Sequence, residues 1–153
     1  HLLQEELYIL WEAVRQKEWV RVDSLTAEML EQKKWTSSQF AQIFFCRGQA
    51  LEAQGRTLEA LEIYNSVLSA DFTASHELVA DSVLGCLRIL DGMEEVGLAR
   101  KLHGTDDEDP NSTGARLLAE AVALCDLWDS AFGGGEPLPA NFKEFQKFKS
   151  GGS

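Results

Sequence analysis

The chain has 153 residues and a formal charge of −11 at pH 7, and its length suits a single domain with one hydrophobic core. The negative charge argues against a nucleic-acid partner, because phosphate binding needs clustered lysine and arginine. No apolar run approaches the ~20 residues of a membrane-spanning helix, so we expect no membrane insertion.

Helical periodicity runs through the chain from its start. Apolar residues recur every three or four positions, which predicts amphipathic helices rather than strands. Three local signals mark boundaries: Thr36 and Gln39 have capping-box spacing, Gly55 ends a helix, and Asp91 with Gly92 forms a turn. The predicted helices cover residues 3–16, 19–30, 36–54, 57–69, 78–90 and 94–102, followed by a longer helix that ends at Phe132. Residues 71–75 form a polar connection.

An acidic segment, Asp106 to Asp109, precedes the long helix and predicts an exposed loop, because its charges repel one another and remain hydrated. Asp109 and Pro110 are candidates for the start of that helix. The segment from Asp107 resembles the beginning of a calcium loop. It departs from that motif where glycine and a final carboxylate are needed, since Ser112 and Leu118 stand there. We therefore predict neither a metal nor a cofactor.

The long helix carries apolar residues on two sides, one including Trp128 and the other including Phe132. A helix that is apolar on two sides needs cover on both. One side is expected to close the helical stack, and the other faces either a missing element or a partner. Trp128 and Phe132 are therefore candidate protein-binding residues.

The C-terminal region begins with a Gly/Pro linker over residues 133–140. Asn141 and Glu144 then predict a capped short amphipathic helix over residues 141–149, bearing Phe142, Phe145 and Phe148. We favour docking of this helix on the rest of the chain. The alternative is a detachable segment that binds a partner. Residues 150–153 resemble an engineered linker.

Three cysteines, Cys46, Cys86 and Cys125, are far apart and lie among apolar residues of predicted helices. Their odd number and wide spacing favour buried, reduced thiols over a disulfide framework or a metal site. This pattern predicts a cytoplasmic or nuclear protein.

Small and large residues in one segment fall where two packed antiparallel helices need them: Gly48, Gly55, Ala60 and Tyr64. The segment resembles a tetratricopeptide repeat, and residues 41–74 come close to the ~34-residue period of that family. The resemblance implies an all-α fold with tetratricopeptide-like helical hairpins over residues 1–132. We expect an α-solenoid of about seven helices plus the short C-terminal helix.

In tetratricopeptide proteins the first helix of each repeat lines a concave binding surface. By this resemblance Gln42, Phe45, Gln49 and Glu52 would be exposed there, with Phe45 as the strongest candidate. The family implies a protein-interaction scaffold or adaptor within a larger protein or complex. With no cation among the four residues, we expect a protein or peptide partner that is neutral, apolar or basic.

Signals for catalysis are weak. The chain has only three histidines, and none has metalloprotease spacing; a nucleophile elbow and a phosphate-binding loop are also missing. We therefore predict that the chain is not an enzyme. Two alternatives remain: a regulatory helical-repeat domain of a larger enzyme, and an obligate assembly subunit that uses the last long helix.

Overall fold

The structure, a computed structural model, describes residues 2–69 and 74–149. Within these residues every regular element is helical, which confirms the all-α prediction. The α-helices are α1 Leu2–Arg15, α2 Trp19–Glu31, α3 Ser37–Ala53, α4 Thr57–Val67, α5 His76–Asp91, α6 Glu94–Leu102, α7 Thr113–Phe132 and α8 Ala140–Lys143, and a 3-10 turn follows over Glu144–Phe148. Residues 71–73 of the predicted polar connection and residues 150–153 lie outside the described residues.

Local sequence signals set the ends of α3. The backbone N–H of Gln39 donates to the Thr36 hydroxyl at 3.2 Å, and the Thr36 N–H donates to the Gln39 side chain at 2.9 Å. This reciprocal pair confirms the predicted capping box. Gly55 follows the helix with φ of +80°, a left-handed conformation that costs glycine little. The turn into α4 therefore forms where glycine stands.

Two predicted helix starts are wrong. Helix α7 begins at Thr113 instead of near Pro110, because the Ser112 hydroxyl caps it by accepting the Ala115 N–H at 3.1 Å. Helix α8 begins at Ala140 after Pro139, so Asn141 lies inside the helix and does not cap it. The predicted C-terminal helix is thus one short α-turn followed by a 3-10 turn.

The chain divides into two compact units, one ending at Gly85 and the other beginning at Cys86. This division differs from the predicted boundary after residue 132, because α6 and α7 group with the C-terminal segment. In unit 1, α3 packs against α1, α2 and α4, and α1 also packs against α2. One apolar cluster of unit 1 comprises Leu7, Leu10, Ala13, Val22, Met29, Trp35, Ile43, Cys46 and Ala50.

The buried Tyr64 ring fits a slot between two glycines of unit 1. A Cβ atom at Gly48 would lie 2.8 Å from Tyr64 Cε1, and one at Gly85 would lie 2.6 Å from Cε2, on the opposite edge of the ring. The Tyr64 hydroxyl donates to the Glu52 carboxylate at 2.7 Å. Only glycine leaves room for the ring at both positions.

In unit 2, α7 packs against α6 and against the 3-10 turn. The segment after α7 also hydrogen-bonds to it. Trp128 Nε1 donates to the Glu136 carbonyl at 3.0 Å, and the Gln146 amide donates to Asp129 at 2.8 Å. Phe142 and Phe145 are buried, as is Leu138 within the predicted linker. The favoured docking of the C-terminal segment is therefore what the structure shows.

All three cysteines are free and buried. Burial raises the pKa of the Cys46 thiol well above its ordinary value. Burial, with smaller contributions from Asp126 and Asp129, raises the pKa of Cys125 to about 11. Both thiols are therefore protonated near neutral pH. Across the described part of the chain, none of the helices is both long and apolar enough to cross a bilayer.

Candidate functional site

The predicted concave face of α3 is packed inside unit 1. Phe45 is only 3% exposed, and its ring centroid lies 6.2 Å from that of Trp11 and 5.9 Å from that of Tyr64. The expectation that Phe45 offers apolar surface to a ligand is wrong. Phe45 is buried because aromatic side chains from α1 and α4 cover this face of α3.

The polar residues of the same face also serve packing. The Gln42 side-chain oxygen accepts the Trp11 Nε1–H at 2.9 Å, and Glu52 accepts the Tyr64 hydroxyl. Gln49 is half-buried. The structure therefore places Gln42 and Glu52 beside Phe45 as partners of α1 and α4, and the four residues do not form an open polar groove.

The second predicted surface, on α7, is largely covered as well. Trp128 is 2% exposed, its indole N–H bonds to the Glu136 carbonyl, and its ring centroid lies 4.8 Å from that of Phe132. Phe132 is half-buried. Of the two expectations for this side of α7, a covering element or a partner, the structure shows cover at the candidate residue Trp128, because the C-terminal segment of the same unit folds back onto α7.

An open groove lies elsewhere in unit 2, between α6 and α7. It has a volume of about 410 Å³ and is bounded by the loop after α6 and by the end of the 3-10 turn. Leu98 remains 57% exposed, so the groove opens to solvent. We call it the α6–α7 groove. Its main apolar lining residues are Leu98, Ala99, Leu102, Ala115, Leu118 and Phe148.

Small residues allow the two helices to approach closely at this groove. A Cβ atom at Gly114 would lie 2.2 Å from the Glu95 carbonyl oxygen and 3.4 Å from Ala99 Cβ. Gly114 thereby lets the first turn of α7 pack against the first turn of α6. Larger side chains on either side of this contact, among them Leu98 and Leu118, line the groove.

Acidic residues line the groove beside the apolar ones. Glu95, Glu108 and Asp109 line the groove, together with the imidazole of His103. His103 Nδ1 lies 3.0 Å from Glu108, and the His103 ring stands edge-on to Phe148 with centroids 5.2 Å apart. Glu108 also accepts the Gly104 N–H at 3.3 Å. These contacts order the loop and connect it to the C-terminal segment.

The sequence contained a partial signal for this groove in the apolar residues of α6. Leu98 and Leu102 are four positions apart in α6, while Val96 is fully buried in the same helix. Apolar residues on two sides of a short helix indicate two apolar surfaces. The acidic segment is indeed an exposed loop, as predicted, but its position beside these leucines required the fold.

Among residues 2–69 and 74–149, no three histidine, cysteine, aspartate or glutamate side chains come together in a way that could hold a metal ion. The α6–α7 groove instead combines apolar area with carboxylates, an arrangement suited to recognition of another molecule by contact and charge. No family model, curated protein sequence or solved structure matches the chain.

Proposed function

We propose that the chain is a protein-interaction module, a scaffold or adaptor domain that binds a partner segment in the α6–α7 groove. One observation carries this proposal: an open groove in unit 2 is lined by leucine, alanine and phenylalanine residues together with three acidic residues. Covering Leu98, which is 57% exposed, would remove apolar area from water and favour association.

The opening of the groove favours a macromolecular partner over a small molecule. Small-molecule sites usually bury most of the ligand surface in a concave pocket. A groove lined by a leucine that is more than half exposed, as Leu98 is, encloses a ligand less completely. A segment of a larger protein gains affinity from contacts on both sides of such a groove.

The proposal includes a tetratricopeptide-like arrangement of unit 1. The burial of Ala60 and the glycine slot around Tyr64 support it, since small residues at these positions allow close helix packing. In this view unit 1 is the structural part and unit 2 carries the binding groove. The buried free thiols are compatible with a cytoplasmic or nuclear location.

A non-enzymatic role remains part of the proposal. Ser112 is a hydroxyl-bearing residue of the groove, and its oxygen caps α7 by accepting the Ala115 N–H. His103 is held by Glu108 and Phe148. These side chains have structural partners that account for their positions.

A selection experiment tests the proposed function. The immobilised chain is panned with phage-displayed random peptides, and the dissociation constants of selected peptides are measured for the chain, Leu98→Glu and Leu58→Glu. Leu58 is a matched control, because it is an exposed helical leucine of unit 1 at 65% exposure. We expect Leu98→Glu to weaken binding at least about tenfold and Leu58→Glu to change it little.

Two results would contradict this proposal. Selection without enrichment would argue against a peptide-binding groove. Enriched peptides that bind all three proteins equally would place the interaction away from Leu98. Circular dichroism of both variants checks that the glutamate substitutions leave the helices intact.

A further inference from the structure

The charges around the α6–α7 groove are unevenly distributed. Three carboxylates line it, those of Glu95, Glu108 and Asp109, against the single imidazole of His103. Asp106 and Asp107 extend the negative charge along the same exposed loop. A ligand that enters the groove therefore approaches through a negative potential.

The three carboxylates differ in their neighbours. Glu108 lies beside His103, whereas within residues 2–69 and 74–149 no lysine or arginine is within ion-pair distance of Glu95 or Asp109. Two cations next to groove residues in the sequence have other partners: Arg100 pairs with Asp91 at 2.8 Å, and Lys149 pairs with Asp126 at 3.4 Å. The groove is thus lined by apolar residues and by acidic residues, two of which have no ion-pair partner among the described residues.

We propose that the occupant of the groove is a protein segment with an apolar side chain flanked by lysine or arginine. This inference rests on the proposed function, and it adds the chemistry of the partner. The apolar side chain would contact Leu98, Leu102 and Leu118, and the flanking cations would pair with Glu95 and Asp109. Charge complementarity of this kind gives specificity and speeds association.

Two displayed peptide libraries with the same randomised apolar centre test this chemistry. One library is flanked by lysine and the other by glutamate, and both are panned on the unmodified chain. We expect enrichment from the lysine-flanked library only. Binding of its selected peptides should weaken strongly as salt is raised to about 1 M, where the screening length falls to about 3 Å.

Charge-matched variants separate the groove from the overall acidity of the chain. The test variant is Glu95→Gln/Asp109→Asn, and the control is Glu28→Gln/Glu31→Gln, which removes the same charge from exposed positions of α2. We expect the test variant to weaken lysine-flanked peptides by roughly fivefold or more at low salt, as two exposed ion pairs allow. The control variant should change the affinity of lysine-flanked peptides less than about twofold, because Glu28 and Glu31 would act on the peptide only through long-range electrostatics, which salt screens.

The possible outcomes distinguish the two proposals. Equal enrichment of both libraries, with binding still lost in Leu98→Glu, would overturn the basic-partner inference and leave the proposed function standing. Equal weakening by both charge variants would likewise overturn it. Failure of both libraries and of the random library would overturn both proposals. A dimer in sedimentation velocity that Leu98→Glu abolishes would identify a second copy as the occupant and contradict the basic segment.

Discussion

At the glycine slot around Tyr64, a tertiary contact decides whether replacing a helical glycine by alanine stabilises or destabilises the protein. Replacing a glycine inside a helix by alanine ordinarily stabilises a protein by about 0.5–1 kcal/mol, because the unfolded chain loses conformational freedom. Gly85 lies inside α5 and Gly97 inside α6. Apart from its chain neighbours and the backbone of its own helix, a methyl group at Gly97 would meet no atom of the described residues within 4 Å, whereas at Gly85 it would lie 2.6 Å from Tyr64 Cε2.

The magnitude follows from the inability of the ring to move away. Gly48 borders the opposite edge of the Tyr64 ring, and the hydroxyl is held by Glu52. Overpacking of a buried site costs about 1–3 kcal/mol, which exceeds the helix-propensity gain. We therefore expect Gly85→Ala to lower the free energy of unfolding by about 1–2 kcal/mol, and Gly97→Ala to raise it by about 0.5–1 kcal/mol.

Urea denaturation followed by circular dichroism and tryptophan fluorescence measures both changes, and the two signals together show whether the units unfold in one transition. A second background isolates the contact. In Tyr64→Leu, which lacks the clashing ring atoms, Gly85→Ala should cease to destabilise. A stabilising Gly85→Ala in the unmodified chain, or an equal cost in the Tyr64→Leu background, would refute the reasoning.

Three further predictions concern the remaining packing and the cysteines. Ala60→Leu should overfill the fully buried Ala60 position and cost about 1–3 kcal/mol; an unchanged denaturation midpoint would argue against tight packing of α4. Phe145→Ala should lower the free energy of unfolding by about 3–5 kcal/mol, because Phe145 is fully buried with the Arg100 guanidinium 4.0 Å from its ring centroid. Amide exchange over residues 140–148 should accelerate in this variant. Slow exchange there would show that other contacts hold the segment. The native pKa of Cys125 is raised from 9.0 to about 11, so between these pH values the native state retains a proton that the unfolded state loses. The resulting contribution to the free energy of unfolding is fully present below about pH 9 and falls as the pH rises toward 11. Cys125→Ala should flatten this part of the pH profile, and an unchanged slope would contradict the assigned cause.

Much of the secondary structure could be predicted because its determinants are local. The Thr36–Gln39 capping box involves residues three positions apart, and Gly55 needs only its own backbone conformation. The bounds predicted for α6, residues 94–102, also agree with the structure. The start of α7 was misplaced because Pro110 and Ser112 are both acceptable near a helix N-terminus, and the hydrogen bond to Ala115 favours the latter.

The candidate site was less predictable because exposure depends on distant neighbours. The resemblance to a tetratricopeptide repeat predicted that Phe45 lines a binding surface. Its ring is instead covered by Trp11, which lies 34 positions earlier in the chain. Trp128 belongs to an apolar stripe that needed cover, and the sequence left a docked C-terminal segment and an external partner as alternatives. The structure shows the docked segment through the Glu136 and Gln146 hydrogen bonds.

By itself, the sequence determined that the chain is helical, where most of its helices begin and end, and that α7 needs cover on two sides. Only the tertiary structure decided which apolar faces are covered and which remain open. The α6–α7 groove exists because Gly114 lets α7 approach the Glu95 carbonyl while Leu98 is left exposed. Helical periodicity reports that a face is apolar, whereas its burial depends on contacts between residues far apart in the chain.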